Sequence, residues 1–193
     1  MFPEFETYIK EQASLSDDDI GLMRAKAIEK TLRRKEVLVH QGDVCRYKIF
    51  VTKGLLRAYT TREDGSEHIM HFSPENSWFT DPESFANATP SDYTIDALEH
   101  SELILWTKND LRYLVANIPG LKACFDTLIY KAGTVLRRRI HTAISSTTEE
   151  KYEEFIKNHA DIHARVPLHM VASYLGVTRE TLSRIRRSYV IGK

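Results

Sequence analysis

The sequence predicts an α+β fold: flanking helices, short antiparallel strands closing a small barrel or sandwich, one long helix, and a C-terminal pair of short helices. Three observations carry this. From Lys35 to about Trp106 apolar residues recur with a period of two; after Trp106 the period becomes helical. Near the end of the chain, apolar positions at helical spacing stand on both sides of a single glycine, Gly176.

Residues 2–13 and 16–30 carry apolar positions at helical spacing and are expected to be helices. Asp17, Asp18 and Asp19 suit the second helix start, where negative charge meets the positive end of the dipole. The strands expected next are VLVH (37–40), KIFVT (48–52), LLRAYTT (55–61), EHIMHF (67–72), YTIDAL (93–98) and ELILWT (102–107). Turn signals separate them at Gln41-Gly42-Asp43, Lys53-Gly54, Asp64-Gly65 and Glu99-His100-Ser101. The polar stretch 75–92 is too long for a hairpin loop, and loops of that kind on a β scaffold often bind ligands.

Thr107-Lys108-Asn109-Asp110 has the capping-box pattern, opening a helix that stops near Pro119-Gly120. Leu121, Phe125, Leu128, Ile129, Ala132, Val135, Leu136 and Ile140 then continue one apolar stripe. A helix so long either lies along its own barrel or pairs with its twin, and pairing is the expectation. SSTTEE (145–150) interrupts the stripe and opens another helix, KYEEFIKNH. The break marks the expected boundary between a domain of residues 1–145 and one of 146–193.

Residues 166–187 read VPLHMVASYLGVTRETLSRIRR. Leu168, Val171, Ala172 and Leu175 form one buried face, Gly176 supplies the positive φ of a tight turn, and Thr178 is a good N-cap. Leu182 and Ile185 then point inward with Val177. That leaves Arg179, Glu180, Ser183, Arg184, Arg186 and Arg187 outward, a face suited to a DNA major groove. Arginine donates two bonds to guanine, and a carboxylate accepts from cytosine. Thr178, Ser183 and the helix N-terminus suit phosphate.

Composition sets the outer limits. A chain of 193 residues, 42% hydrophobic and 28% charged, can bury a core as one large domain or two small ones. No apolar run reaches membrane-spanning length, and the acidic start lacks a signal core. The two cysteines, Cys45 and Cys124, are far apart, which argues against disulfides, zinc or iron–sulfur chemistry and for a cytoplasmic home. Net charge is zero, yet residues 163–193 hold five Arg and one Lys against Glu180, a balance of +5 that leaves −5 for the other 162. Such asymmetry points to nucleic-acid contact by one end.

Val177-Thr178-Arg179-Glu180-Thr181-Leu182-Ser183-Arg184 resembles the recognition helix of the Crp/Fnr family of bacterial transcription regulators. The resemblance assigns the R-E-T-x-x-R core, hence Arg179, Glu180 and Arg184, to base contacts. The DNA-binding set is then Thr178, Arg179, Glu180, Thr181, Ser183, Arg184, Arg186 and Arg187. It also implies an N-terminal antiparallel β-roll (a double-stranded β-helix of the cyclic-nucleotide-binding kind, its turn at Gln41-Gly42-Asp43), a long dimerisation helix, and a C-terminal helix-turn-helix. The partners implied are a palindromic double-stranded DNA operator, a second copy of the chain, a small-molecule effector and RNA polymerase, with no membrane. Many members add a β-wing. Here Ser188–Lys193 and ADIHARV (160–166) leave room for at most one short strand, so the DNA module is expected to be trimmed, with Arg186, Arg187 and Lys193 on phosphates.

In nucleotide-binding members a Gly-Glu pair meets the ribose, and an Arg followed by Ser or Thr grips the cyclic phosphate. The matching positions here are Thr80-Asp81 and Ser91-Asp92. Those four are the candidate effector residues, yet the cation is missing and Asp92 would repel phosphate. An effector other than cyclic AMP in the usual mode is expected, or a pocket that is only structural. Two other classes stand beside this reading. A cupin-like metalloenzyme would use His68 and His71, but strand positions i and i+3 point to opposite faces, so no metal site is expected. His40, His159, His163 and His169 are scattered, and no catalytic constellation has a diagnostic spacing, so no enzyme is expected. The second alternative is a β-roll ligand sensor acting through protein partners.

Overall fold

A computed structural model describes residues 2–191. Helices α1 (Phe2–Gln12) and α2 (Asp17–Ala25) precede β1 (Ile28–Leu32), β2 (Val37–Val39), β3 (Tyr47–Lys53), β4 (Leu56–Thr61), β5 (Glu67–Ser73) and β6 (Ser77–Phe79). Then come α3 (Pro82–Asn87), β7 (Thr94–Ala97), β8 (Ser101–Thr107), α4 (Lys108–Asn117) and α5 (Pro119–Ser145). The chain continues with α6 (Thr148–Asn158), α7 (Ala160–Arg165), α8 (Leu168–Leu175) and α9 (Arg179–Ile191). The strands form two antiparallel four-stranded sheets, ordered β1-β8-β3-β6 and β2-β7-β4-β5, closed face to face as a β-roll.

All six expected strands are present. The helix expected over 16–30 instead ends at Ala25, and Ile28–Leu32 pairs with β8 in the register Ile28↔Leu105 to Leu32↔Ser101. The stretch 75–92 likewise holds β6 and the six-residue α3. ADIHARV is helical from Ala160 to Arg165, where a strand was allowed for, because Ile162 turns into the apolar cluster around Tyr152 and Phe155.

Three apolar clusters organise the molecule, and the first sheet is buried on both faces. Ile49, Val51, Leu103 and Leu105 fill the roll interior. Their alternates Phe50, Ile104 and Trp106 meet α1, α2, α4 and the start of α5 around Phe5, Met23 and Leu121. This explains why KIFVT and ELILWT read as nearly unbroken apolar runs. The third cluster joins Leu55, just before β4, and Tyr59, Ile69 and Phe72 of the second sheet to Tyr152, Phe155, Val171, Leu182 and Ile185 of the C-terminal helices.

The long apolar stripe of α5 divides in two. Leu121 and Cys124 are buried against the roll, with Phe125 and Leu128 packed beside them. Ile129, Leu136, Ile140 and Ile144 lie open, at 71%, 57%, 51% and 82% exposure. The first half of the helix is therefore spent on its own domain, and the second half presents an uncovered face.

Gly54 makes the turn that carries the chain from β3 in one sheet to β4 in the other at φ +92°, and a Cβ there would stand 2.6 Å from the His100 carbonyl oxygen and closer still to Ser101 Oγ. Gly65, at φ +80°, has open space around it. Gly54→Ala should therefore cost roughly 3 kcal/mol, against about 1 kcal/mol for Gly65→Ala. Urea unfolding of the two variants tests this, and equal shifts in midpoint would refute the steric account.

Candidate nucleic-acid interface

Helices α8 and α9 meet at a tight turn made by Gly176, at φ +69°, whose N–H returns to the carbonyls of Ala172 and Ser173. The Val177 N–H bonds the Ala172 carbonyl at 3.0 Å, so the end of α8 is capped by the next residues of the chain. Thr178 Oγ1 then accepts from the Thr181 N–H at 3.2 Å and lies 3.0 Å from Thr181 Oγ1, which caps α9. Val171, Ala172, Leu182 and Ile185 are all buried, and together they lock the inner faces of the pair.

The outer face of α9 has two rows at helical spacing: Arg179, Ser183, Arg186 and Glu180, Arg184, Arg187. Arg179, Glu180, Arg184, Arg186 and Arg187 are exposed, and Ser183 is half-buried. Among the described residues none of these four arginines enters an ion pair, while Arg24, Arg57, Arg138 and Arg165 all do. The eight residues expected to meet DNA thus fall on one helix and its cap, with the two threonine hydroxyls turned to each other. Lys193 lies outside the described residues.

Contacts that sequence reasoning missed hold this pair against the roll. Ser173 of α8 donates to the Glu67 carbonyl at 2.9 Å and accepts from the Ile69 N–H at 3.0 Å. Arg139 of α5 donates to the carbonyls of Met70 and Tyr174 and lies over the Tyr174 ring, 4.1 Å from its centre. Arg165 makes two bonds to Glu75, at 2.8 and 2.9 Å, and one to Glu99. Burial pushes the Glu75 carboxyl up, but the bonds from Arg165 and the backbone outweigh it and hold the group below its ordinary range. The Arg165 guanidinium is raised by the same bonds.

The candidate effector residues surround α3. Asp81 is its N-cap, and its carboxylate takes bonds from the Glu83 N–H (3.1 Å), the Ser84 N–H (3.2 Å) and the Ser91 hydroxyl (2.7 Å). Thr80 donates to the Tyr47 carbonyl at 2.9 Å. Ser91 also ties its backbone to Gly42 and Asp43 of the Gln41-Gly42-Asp43 turn. Asp92 is exposed. Residues 80–92 contain no Arg or Lys, so the segment brings Asp81 and Asp92 to an incoming phosphate and no cation of its own, and Lys108 is already bonded to the Ala86 carbonyl. These residues do not fit a cyclic phosphate.

The expectation that His68 and His71 point to opposite faces needs correction. A bulge leaves Met70 unpaired: Tyr59 faces Ile69 while Ala58 faces His71, so Ile69 and Phe72 enter the same cluster and simple alternation fails here. His71 stacks on Phe79 at 5.2 Å, and His68 lies 3.5 Å from the Ser66 hydroxyl. Among the described residues no three His, Cys, Asp or Glu side chains group as a metal site would require.

Residues 29–117, which span nearly all of the roll and its α3 loop, match the family model "Cyclic nucleotide-binding domain". The whole arrangement is similar to FixK2 from Bradyrhizobium japonicum: TM-score 0.71, 17% identity, covering 86% of this chain and 85% of that one. It is also similar to a CooA mutant from Carboxydothermus hydrogenoformans, with TM-score 0.72 and 17% identity over 88% of this chain and 78% of that one. The c-di-GMP responsive global regulator CLP of Xanthomonas campestris gives 0.68 and 13%, over 92% and 93%. At these identities the likeness is one of fold. No curated protein matches the chain. Among the described residues no helix is long and apolar enough to cross a membrane.

Leu182 is fully buried between α8 and α9, while Arg179 is bare. Leu182→Ala should cost about 2–5 kcal/mol of stability, and Arg179→Ala should stay within about 0.5 kcal/mol of the parent. Thermal unfolding separates the two, and a destabilised Arg179 variant would show that its side chain serves the fold.

Proposed function

We propose that the chain is a Crp/Fnr-type transcription regulator that reads DNA with α9 and works as a dimer through the open half of α5. The observation that carries this is the outer face of α9, where Glu180 and four arginines that enter no ion pair among the described residues stand on a helix whose inner face is locked. Such a face has the donors for guanine edges and phosphates, and the uncompensated charge that drives counterion release. Residues 1–145 form the roll and pairing helix, and 146–193 the helix-turn-helix. The chain is not read as an enzyme.

Arg179, Glu180 and Arg184 stand toward the N-terminal end of α9, the end that reaches base edges when a recognition helix enters the major groove. Ile129, Leu136, Ile140 and Ile144 supply an apolar seam for a second copy. Two α9 helices related by that seam would address half-sites about 34 Å apart on a palindrome. Selection from a random DNA pool should return a palindromic motif. Arg179→Ala or Arg184→Ala should lose ~1–3 kcal/mol and relax preference at one position. Arg186→Ala or Arg187→Ala should weaken all sequences alike and flatten the salt dependence. A pool with no motif, enriched identically by wild type and the Arg179 variant, would sink base reading and favour action through protein partners.

Asp81 occupies the helix start where the cassette's ligand anion would be received, and the roll interior is filled by Ile49, Leu56, Ile95, Leu103 and their neighbours. Cyclic AMP should therefore show no micromolar binding in calorimetry. A micromolar heat signature at one site per chain would overturn this reading of the cassette.

A further inference from the structure

If the cassette is closed by its own carboxylate, an effector must be received elsewhere, and the chain holds a cavity suited to one. It measures about 380 Å3 and lies between the C-terminal half of α5 and helices α6 and α8. That is within the usual size of small-molecule pockets, roughly 300–1,000 Å3.

Its position follows from the pitch of α5. Leu121, Cys124, Leu128, Val135, Arg139 and Thr142 share one face, since a helix advances about 100° per residue. Leu121 and Cys124 are buried and Leu128 is packed against the roll, but Val135 is 65% exposed. Its side chain lines the cavity, and so do Phe155 and Leu175. An exposed apolar side chain set in a concave wall with two others offers apolar surface to an occupant.

The walls are not purely apolar. Arg138, Arg139 and Lys151 line the cavity against a single carboxylate, Glu154. That carboxylate is already committed, to Arg138 Nε at 2.6 Å and the Thr142 hydroxyl at 2.7 Å. Arg138 meets it through Nε, which leaves the two terminal NH2 groups for another anion. Lys151 spends one donor on the Ala143 carbonyl at 2.9 Å. The pocket thus combines an apolar floor with an excess of positive charge at its rim.

We propose that this cavity binds an amphipathic organic anion: an apolar ring or short chain carrying a carboxylate, sulfonate or phosphate. The apolar part lies against Val135, Phe155 and Leu175, and the acid group faces Arg138 and Lys151. Because α5 forms one wall and α8 another, an occupant braces the α8–α9 pair against the pairing helix. The site rests on the DNA-binding reading only for that consequence, and its occupancy is tested without DNA.

The probe is 1-anilinonaphthalene-8-sulfonate, an aromatic anion whose fluorescence rises in apolar surroundings, titrated onto the intact chain. Saturable binding of about one dye per chain is expected, weakening as salt rises. Val135→Trp, which fills the floor, should reduce affinity about tenfold. Ala143→Trp, from the exposed side of the same wall, should do the same if the first variant folds poorly. Lys151→Glu should weaken binding about fivefold by reversing a rim charge. Ile144→Ser, on the opposite face of α5, should leave it unchanged. The proposal is overturned if no saturable binding occurs, if folded Trp variants bind as wild type does, or if Ile144→Ser abolishes the signal and so assigns the dye to the pairing face. A DNA selection that fails while these results hold would remove the DNA reading and leave the site standing.

Discussion

Strand β5 ends its sheet with one row of backbone groups that no neighbouring strand matches, and Ser173 of α8 answers two of them. An open edge invites pairing with another chain, so closing it is a requirement of the fold. Closing it with a helix also settles where that helix lies. Ser173 fixes α8 along β5, Arg139 adds a bond to Met70, and the Phe72 and Tyr174 rings come within 5.4 Å. The orientation of α9, set by the Gly176 turn, therefore descends from an unsatisfied strand edge. The β5 bulge at Met70 belongs to the same arrangement, since it turns Ile69 and Phe72 together into the cluster that α8 completes.

Much of this was legible because burial writes a period into the chain. The strands buried on both faces, KIFVT and ELILWT, stand out as apolar runs, and the α8–α9 pair shows its inner positions at helical spacing on either side of Gly176. The outer positions of α9 are then fixed by elimination. What the periodicity misled on is equally specific. Ile28–Leu32 is a strand whose burial pattern is almost wholly exposed, so Ile28, Lys30 and Leu32 carry no apolar alternation, and the stretch merged with the helix before it. β6 and α3 are three and six residues long, too short to establish a period. Strand alternation misplaced His68 and His71 because a bulge adds a residue without changing composition.

The long-range polar contacts were not legible, since periodicity says nothing about partners distant in sequence. Arg57 and Asp96 are buried on neighbouring strands and bonded at 2.8 and 2.9 Å, with Glu67 closing the third side at 2.6 Å. Burial works against the charge of Arg57, and the two carboxylates outweigh it and raise the group. The one available signal was a charge set inside an apolar strand, LLRAYTT and YTIDAL alike: a buried charge requires a partner. Arg165 carried no such signal, lying at a helix end where basic residues are ordinary.

The contrast between the arginines gives the charge asymmetry its meaning. Arg57 and Arg165 are each held by two carboxylates, so their charge is spent inside the molecule. Arg179, Arg184, Arg186 and Arg187 have no such partner among the described residues, so four of the six cations of residues 163–193 stand on the open face of α9, with Glu180 the one acid beside them. The opposing −5 on the rest of the chain acts on a polyanion in the other direction. A polyanion approaching such a molecule would be repelled by the acidic remainder and drawn to α9, so the same distribution that leaves net charge at zero would orient the encounter. Neutrality overall and a basic outer face on α9 are thus compatible, because what a polyanion would meet within a Debye length of about 10 Å is the local charge.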